Sequence, residues 1–281
     1  TSLQHKALHL FQDLLRFHLG DTKPEALIDA DLNRLLFVYN NATFTDKDKV
    51  YEKALQDIET RYASLPASAQ AAYLRGMIYY NRGESYDPFV KTDQQYEKKR
   101  AKELFESIYA KFPKSEGGIA AKNQVTTLLI PTLHLETEKV NQPLMPYRTL
   151  VKYKNVKRLY FRVIKTTKEE LRKQDRRDYE QYWKALTQLK PVKSWDLALP
   201  DLNDFQEHAV EVKMEPADIG VYIVLASIKP DFALPGNILG KQVVYISNIS
   251  YVHSSNNEYF VLNRDKGTPL ANASVQVWES K

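Results

Sequence analysis

The chain has 281 residues, of which 43% are hydrophobic and 27% charged, so it is not a disordered chain and has material for more than one domain. It contains no cysteine, which excludes disulfides, thiolate nucleophiles and cysteine-based metal sites, and no apolar run approaches the roughly 20 residues of a membrane span. The net charge of +5 comes from 40 basic and 35 acidic residues that are interspersed, and no nucleic-acid motif accompanies them, so we expect no nucleic-acid partner.

The N-terminal part of the chain has the apolar spacing of helices. The stretch DADLNRLLFVYNN predicts a helix with Asp29 or Asp31 as its N-terminal cap. Before it, steps of three and four predict a helix that ends at Gly20 and has one apolar face, formed by Leu3, Ala7, Leu10, Leu14 and Phe17.

Two later segments repeat one helical pattern. Each segment has an Ala, two intermediate positions and a closing Pro, separated by steps of 4, 3 and 5 residues. These residues are Ala54, Ile58, Arg61 and Pro66 in the first segment and Ala101, Phe105, Ile108 and Pro113 in the second. Between them lie Gly76 and Tyr79, and the whole resembles the tetratricopeptide pattern, in which small residues let paired helices approach closely. Because about 13 extra residues interrupt the second unit and the Trp of the pattern is missing, we predict helical hairpins rather than a peptide groove.

From Pro131 onward, the spacing of the apolar residues changes from that of helices to every second position. We interpret the stretch punctuated by Pro131, Pro143 and Pro146 as a linker. Six strands are then predicted, typical of an antiparallel β-sandwich: 148–153, 157–164, 195–199, AVEVKM from Ala209, 220–227 and 242–252. A helical pattern over 168–189 interrupts them, and we expect an insertion packed on the sandwich through Leu171, Tyr179, Trp183, Leu186 and Leu189.

Few side chains capable of chemistry form a recognisable pattern. His5 and His9 have the i, i+4 spacing of two metal ligands on a helix, but no third ligand is evident. Glu169, Glu170 and Asp175 could be paired catalytic acids, but they share a helix with many basic residues, which is typical of a solvated face. No nucleophile or phosphate-binding motif is present, so we predict no catalytic, metal or cofactor-binding residue, no cofactor and no enzymatic activity.

The aromatic residues allow a structural and a binding interpretation. Tyr79 and Tyr80 are expected in the helical core, and a second set is expected in the sandwich: Tyr160, Phe161, Tyr222 and Tyr245.

The strands themselves resemble a known family. LVKYKNVKRLYFRVIKT (150–166) is similar to the opening strands of a macroglobulin-like domain, and GVYIVLAS (220–227) is similar to a late strand of such domains. The segment 244–278 resembles the junction between modules of bacterial alpha-2-macroglobulin-like proteins of the Bacteroidetes type. The matching residues are Arg264, Asp265, Gly267, Pro269, Leu270, Ala273 and Val275, whereas Lys266 and Thr268 depart from the commonest order.

This resemblance implies an α+β multidomain fold: a helical tetratricopeptide-like domain (1–135), a macroglobulin-like sandwich with a helical insertion (136–256) and the start of a second sandwich (257–281). It implies the non-catalytic scaffold part of a broad protease inhibitor whose bait segment is cleaved by the protease that it traps. Some members also form a thioester within Cys-Gly-Glu-Gln, which this cysteine-free chain lacks. The chain also begins without an initiator Met, so we expect it to be a piece of a longer protein.

The implied partners are proteases, through the intact parent protein, and other domains of the same chain. The implied location is the periplasm, outer membrane or cell surface of a Gram-negative bacterium, with membrane contact only through a lipid anchor upstream.

Two other functions stay open at the level of sequence. One is a cell-surface glycan-binding or adhesion protein, with Tyr179, Tyr182 and Trp183 as an aromatic platform. The other is a hydrolase that uses the carboxylates of the charged helix.

Overall fold

The computed structural model describes residues 2–174, 178–255 and 258–276, and the chain divides into two compact units. One unit contains the chain up to Ile130 together with Leu202–Gln206, and the other contains Pro131–Asp201 and the chain from Glu207 onward. The first unit is helical and the second is built on β-sheets, which confirms the predicted α+β multidomain class. Among the described residues, no helix is both long and apolar enough to cross a bilayer.

The helices of the first unit are α1 (Leu3–His18), α2 (Glu25–Asn41), α3 (Lys47–Arg61), α4 (Ser68–Glu84), α5 (Glu97–Lys111) and α6 (Glu116–Leu129). The predicted cap of the second helix is wrong, because α2 begins at Glu25 and both Asp29 and Asp31 lie inside it. Pro24 precedes the first turn, where the missing N–H of a proline costs nothing. Asp31 instead forms an ion pair with Arg34 at 2.7 Å.

Helix α4 lies between the two cores of this unit. Its Ala71 belongs to a cluster with residues of α2 and α3, whereas its Tyr79 belongs to a cluster with residues of α5 and α6. A Cβ atom on Gly76 would lie 2.4 Å from Cε1 of Phe105, and Phe105 and Ala101 are fully buried. The small residues of the repeated pattern therefore allow close helix approach, and the predicted helical hairpins are present.

Helix α1 packs differently from the pattern that predicts it. Its contact with α2 includes the rings of Phe11 and Phe37, whose centroids are 5.6 Å apart. The expected apolar face is largely in solvent, with Leu10 70% and Phe17 75% exposed. The apolar arc of α1 is thus wider than its single neighbour α2 covers.

A short segment from later in the chain completes the helical unit. Within Leu202–Gln206, the Gln206 side chain donates hydrogen bonds to the carbonyl oxygens of Gly83 (3.0 Å) and Gln95 (3.2 Å). The Gln95 amide in turn donates to Asp204 at 2.9 Å. Both Asp204 and Gln206 are buried, and these bonds satisfy groups that burial would otherwise destabilise.

The β unit contains β1 (Thr132–Thr137), β2 (Val140–Asn141), β3 (Tyr147–Lys154), β4 (Arg158–Thr166), β5 (Lys193–Ala198), β6 (His208–Met214), β7 (Gly220–Ser227), β8 (Leu239–Ile246), β9 (Ile249–His253) and β10 (Tyr259–Asn263). The strand orders are β1-β3-β6, β2-β8-β7-β4-β5 and β10-β9. The expected linker is wrong in part, because β1 and β2 lie within it. The larger sheet is mixed rather than purely antiparallel, because β2 runs parallel to β8.

The first two sheets enclose one core. Strand β3 alternates between buried and less buried positions, and its buried side chains meet those of β4, β7 and β8 from the facing sheet. Phe161 and Val224, from β4 and β7, are 1% and 0% exposed. This is the predicted sandwich, with Tyr222 in the same core and Tyr160 packed on the outer face of the larger sheet.

The predicted helical insertion is present as α7 (Lys168–Gln174) and α8 (Tyr179–Gln188). Leu171, Trp183, Leu186 and Leu189 pack on the outer face of the larger sheet. Tyr179 does not, since it is 74% exposed, and its place in the predicted apolar face is wrong.

The sixth predicted strand, 242–252, is two strands that belong to different sheets. The chain bends just after Ser247, at Asn248, and the Ser247 hydroxyl accepts a hydrogen bond from the Ile249 N–H at 3.1 Å. Such a local bond competes with continued strand pairing. After this bend, β9 leaves the sandwich and pairs with β10.

Candidate functional site: the open sheet

The β9–β10 sheet, which we call the open sheet, presents an apolar groove of about 750 Å³. The register places Val261 opposite Tyr251 and Asn263 opposite Ile249, so alternate residues of the two strands share one face. Ile249, Tyr251, Tyr259 and Val261 line the groove from that face. The Tyr259 ring also stacks on His253, with centroids 4.5 Å apart.

Apolar side chains are exposed on both faces of the open sheet. On the groove face, Ile249 and Tyr251 are 55% and 67% exposed, and on the opposite face Val252 and Phe260 are each 54% exposed. A two-stranded sheet is marginally stable alone, and exposed apolar area on this scale marks a surface that another element covers. Both faces of the open sheet thus carry apolar side chains that the described residues leave largely exposed.

The turn after β10 is built by Asn263 and Gly267. The Asn263 side-chain oxygen accepts hydrogen bonds from the N–H groups of Asp265 and Lys266, each at 3.0 Å. Gly267 has φ +65°, a backbone conformation that glycine adopts without strain. The chain then runs back along β10, and the Leu270 N–H donates to the Val261 carbonyl at 2.9 Å.

The segment SVQVW (274–278) alternates between Val or Trp and polar residues, which predicts a strand after the turn, but no strand is formed in the part of it that the structure describes. Residues 274–276 have no regular structure, and Val275 is 46% exposed at the rim of the groove. Ala273, for which the resemblance to the module junction implies a tight inward position, is instead exposed, so that expectation is wrong. Val277 and Trp278 lie outside the described residues.

The two histidines with metal-ligand spacing form a pair without further ligands. The rings of His5 and His9 are 4.5 Å apart and nearly perpendicular, on the exposed surface of α1. In the described part of the chain, no group of three or more His, Cys, Asp or Glu side chains is arranged to hold a metal ion.

Of the candidate catalytic acids, Glu170 is engaged in a helix cap and not in a carboxylate pair among the described residues. Glu170 accepts hydrogen bonds from the Thr166 hydroxyl and the Thr167 N–H, each at 2.9 Å, while its own N–H donates to the Thr167 hydroxyl. This is a capping box at the start of α7. The hydrogen bond from Thr166, followed by that from Thr167, lowers the pKa of Glu170. Glu169 is exposed, and Asp175 lies outside the described residues.

The expected aromatic platform is not flat. Tyr182 and Trp183 pack partly against the sheet, while Tyr179 projects into solvent. Their ring planes cross at 71° for Tyr179 and Trp183 and at 80° for Tyr182 and Trp183. The Trp183 ring is thus coplanar with neither of the two tyrosine rings.

A polar network around Tyr79 is not evident from the sequence. The buried Tyr79 hydroxyl donates to Glu52 at 2.9 Å and accepts from Arg100 at 3.0 Å, and the Arg100 guanidinium carbon lies 3.8 Å from the ring centroid. Burial raises the pKa of Tyr79, and the bond to Glu52 raises it further. Burial opposes ionisation of Glu52, but hydrogen bonds from Arg82 and Tyr79 outweigh it and lower the pKa of Glu52. The network holds helix α3 to α4 and α5, so its role is structural.

One end of the sandwich contains a cleft of about 420 Å³. Tyr147 and Tyr222 form part of its wall beside Trp195, and the Tyr222 hydroxyl donates to the Asp218 carbonyl at 3.0 Å. Burial, with a smaller contribution from Tyr222, raises the pKa of Tyr147 to about 12. The cleft brings together aromatic walls and a polar rim without a nucleophile and base in hydrogen-bond contact.

Comparisons with known proteins give only distant similarities. No protein-family profile matches the chain, and no curated protein sequence is a detectable relative. Native alpha-2-macroglobulin from Escherichia coli, spanning domains MG0-NIE-MG1, is similar with a TM-score of 0.36 and 12% identity, over 50% of this chain and 47% of that one. The CARDB domain of a Pyrococcus furiosus protein, in complex with di-metal ions, gives a TM-score of 0.25 and 15% identity, over 42% of this chain and 92% of that one.

The match to the Escherichia coli structure therefore spans about half the length of each chain. Similarities of this size do not assign the chain to a family.

Proposed function

We propose that the chain is a non-catalytic scaffold part of a large extracytoplasmic alpha-2-macroglobulin-like protein, and that the open sheet is the start of the next β-module. The observation that carries this proposal is the open sheet itself: it follows a fully packed sandwich and exposes apolar side chains on both faces. An isolated terminal hairpin would gain nothing from Val252 and Phe260 on one face and Tyr251 on the other.

The turn chemistry of the proposed junction supports the same assignment. Gly267 has the positive φ that the Gly-x-Pro-Leu phrase requires, and Leu270 returns to hydrogen-bond with Val261. The chain is thus directed back along the open sheet, as expected where a new β-module begins.

The proposal can be tested with the intact protein encoded by the full reading frame and with residues 1–281 alone. Each is incubated with trypsin or subtilisin, and cleavage of a protein substrate is followed. We expect the intact protein to inhibit and residues 1–281 to leave cleavage unchanged at equimolar concentration, because bait and trap lie elsewhere. Inhibition by residues 1–281, or none by the intact protein, would contradict the proposed function.

Hydrogen exchange in the same two samples tests the structural half of the proposal. The open sheet (249–263) should gain amide protection in the intact protein because the rest of the module covers it. Strand β7 (Gly220–Ser227) is the internal control, since it is already buried and should not change. Equal exchange of the open sheet in both samples would show that no further β-module covers it.

A further inference from the structure

A groove on the outer side of the larger sheet, distinct from the open sheet, is lined by four basic side chains. Lys139, Lys168, Arg172 and Lys241 surround a volume of about 640 Å³, and no carboxylate lines it among the described residues. We call this surface the basic groove.

The floor of the basic groove is the outer face of β8. Val244 and Ile246 point into the sandwich core, so the alternate residues Lys241, Val243 and Tyr245 point outward. From Lys241 to Tyr245 this floor is about 13 Å long, which matches about four residues of an extended chain.

Helix α7 forms one wall of the basic groove. Lys168, Leu171 and Arg172 are spaced i, i+3 and i+4, so they share one face of the helix. Lys139 lies at the far end, where its carbonyl accepts a hydrogen bond from the Tyr245 N–H at 2.8 Å. The positions of these cations are thus fixed by a helix face, a strand face and a strand-to-strand hydrogen bond.

The cations of the basic groove have no acidic partner in the part of the chain that the structure describes. The ion pairs among the described residues of this unit do not include any of the four. On α7, Glu169 follows Lys168 directly but forms no ion pair with it among the described residues, and Glu170 is bound by Thr166 and Thr167. Four like charges in one groove repel one another, and a bound anion would relieve that repulsion.

The apolar part of the groove distinguishes between kinds of anion. The Lys168 ammonium lies 5.8 Å from the Tyr245 ring centroid, and the Lys241 ammonium lies 4.7 Å from that of Tyr182, to whose hydroxyl it also donates a hydrogen bond. Both aromatic rings are therefore already in contact with a cation. The remaining apolar floor consists of Leu171 and Val243, which suits an aliphatic side chain.

We infer that the basic groove binds an extended acidic peptide, a segment of a protein partner in which aliphatic residues alternate with Asp or Glu. The carboxylates would pair with the four cations, and an aliphatic side chain would rest on Leu171 and Val243. This inference is independent of the proposed scaffold function.

Fluorescence anisotropy with residues 1–281 and a labelled peptide of about ten residues, in which Leu alternates with Glu, tests the inference. We expect the variant Lys139→Glu with Arg172→Glu to weaken binding about tenfold or more, because both cations are exposed and their reversal turns attraction into repulsion. Replacing the peptide's Leu by Ser should also weaken binding, because the aliphatic floor then has no partner.

The matched control is Lys190→Glu with Lys213→Glu, which changes the net charge equally at exposed positions outside the groove. It should change affinity less than about twofold. Equal weakening by both double variants would show attraction to net charge alone and overturn the inference. Binding of heparin without binding of the peptide would also overturn the inference, because it would identify a sulfated glycan as the ligand. Circular dichroism melting curves check that each variant is folded.

Discussion

The sandwich and the open sheet are built from the same kind of sequence but bury it to very different extents. In the sandwich, Phe161 is 1% exposed and stacks on Trp195 with ring centroids 5.0 Å apart. In the open sheet, Phe260 and Val252 are each 54% exposed. Each sheet of the sandwich covers the other, whereas no element among the described residues covers the open sheet to the same degree. Alternation of residue types along a strand thus shows that the strand has two different faces. Whether the apolar side chains of a face are buried depends on a second layer of structure that covers it.

The largest expected effect comes from truncating one phenylalanine in each region. Phe161→Ala should lower the free energy of unfolding of the β unit by about 3–5 kcal/mol, because it removes a buried ring and leaves a cavity. Phe260→Ala should change it by less than about 0.5 kcal/mol, because that ring loses little contact. Urea unfolding followed by tryptophan fluorescence measures both, since Trp183 and Trp195 lie in the β unit and the helical unit contains no tryptophan.

Phe161→Leu serves as a milder variant if Phe161→Ala does not fold. A cost for Phe260→Ala that approaches the cost for Phe161→Ala would break the comparison, because it would show that the open sheet is already packed in this chain.

A smaller effect, confined to the sandwich, is expected at alkaline pH. The pKa of Tyr147 is about 12 in the folded chain against an ordinary value of 10.0, so the folded state retains a proton that the unfolded state loses. The stabilisation that this retained proton adds to the free energy of unfolding is complete below pH 10. It amounts to at most about 2–3 kcal/mol and is lost as the pH rises toward 12. Comparing urea unfolding of the wild type and Tyr147→Phe from about pH 9 to about pH 11, one unit either side of the ordinary value, measures the onset of this loss.

Because Tyr147→Phe cannot ionise, its stability should fall less steeply over that range than that of the wild type. Other tyrosines titrate in both proteins and cancel in the difference. Parallel curves would show that the Tyr147 hydroxyl is not desolvated at the end of the sandwich.

The sequence predicts those helices and strands that pack against elements nearby in the chain, or whose apolar residues recur at a regular spacing. The helices α3 to α6 follow from small residues at fixed spacing, and Gly76 against Phe105 is the contact that this spacing requires. Strands β3 to β7 follow from alternation. The sequence pattern does not predict the bend just after Ser247. The strand predicted over 242–252 runs across this point without a break, and a single side-chain hydrogen bond interrupts it.

Contacts between distant residues are the part that sequence pattern does not provide. Gln206 satisfies the carbonyl of Gly83, 123 positions away, and neither residue belongs to a periodic pattern. Tyr79 is correctly expected in the core, but its bond to Glu52 links two helices whose register is set by packing. The groove of the open sheet is likewise missed as a site, although Gly267 and its turn are evident from the residues alone.

The smallest expected effect is local to the open sheet and arises at Gly267. Its φ of +65° is strained for a residue with a Cβ, although a Cβ there would meet nothing within 4 Å. Gly267→Ala should therefore cost about 1 kcal/mol through backbone conformation alone. Because the open sheet lacks a covering layer, we expect this cost to appear as faster amide exchange in β10 and not in global unfolding.

Gly267→Asn is the matched control, since Asn adopts positive φ more readily than Ala and should restore most of the protection. Equal exchange in the Ala and Asn variants would show that φ is not the cause. If Gly267→Ala instead lowered the global unfolding free energy by the full amount, the open sheet and the sandwich would unfold as one cooperative unit. The open sheet and the sandwich would then have the same free energy of unfolding although they differ in burial. The reason would be that a sheet that unfolds together with the sandwich is stabilised by the same core.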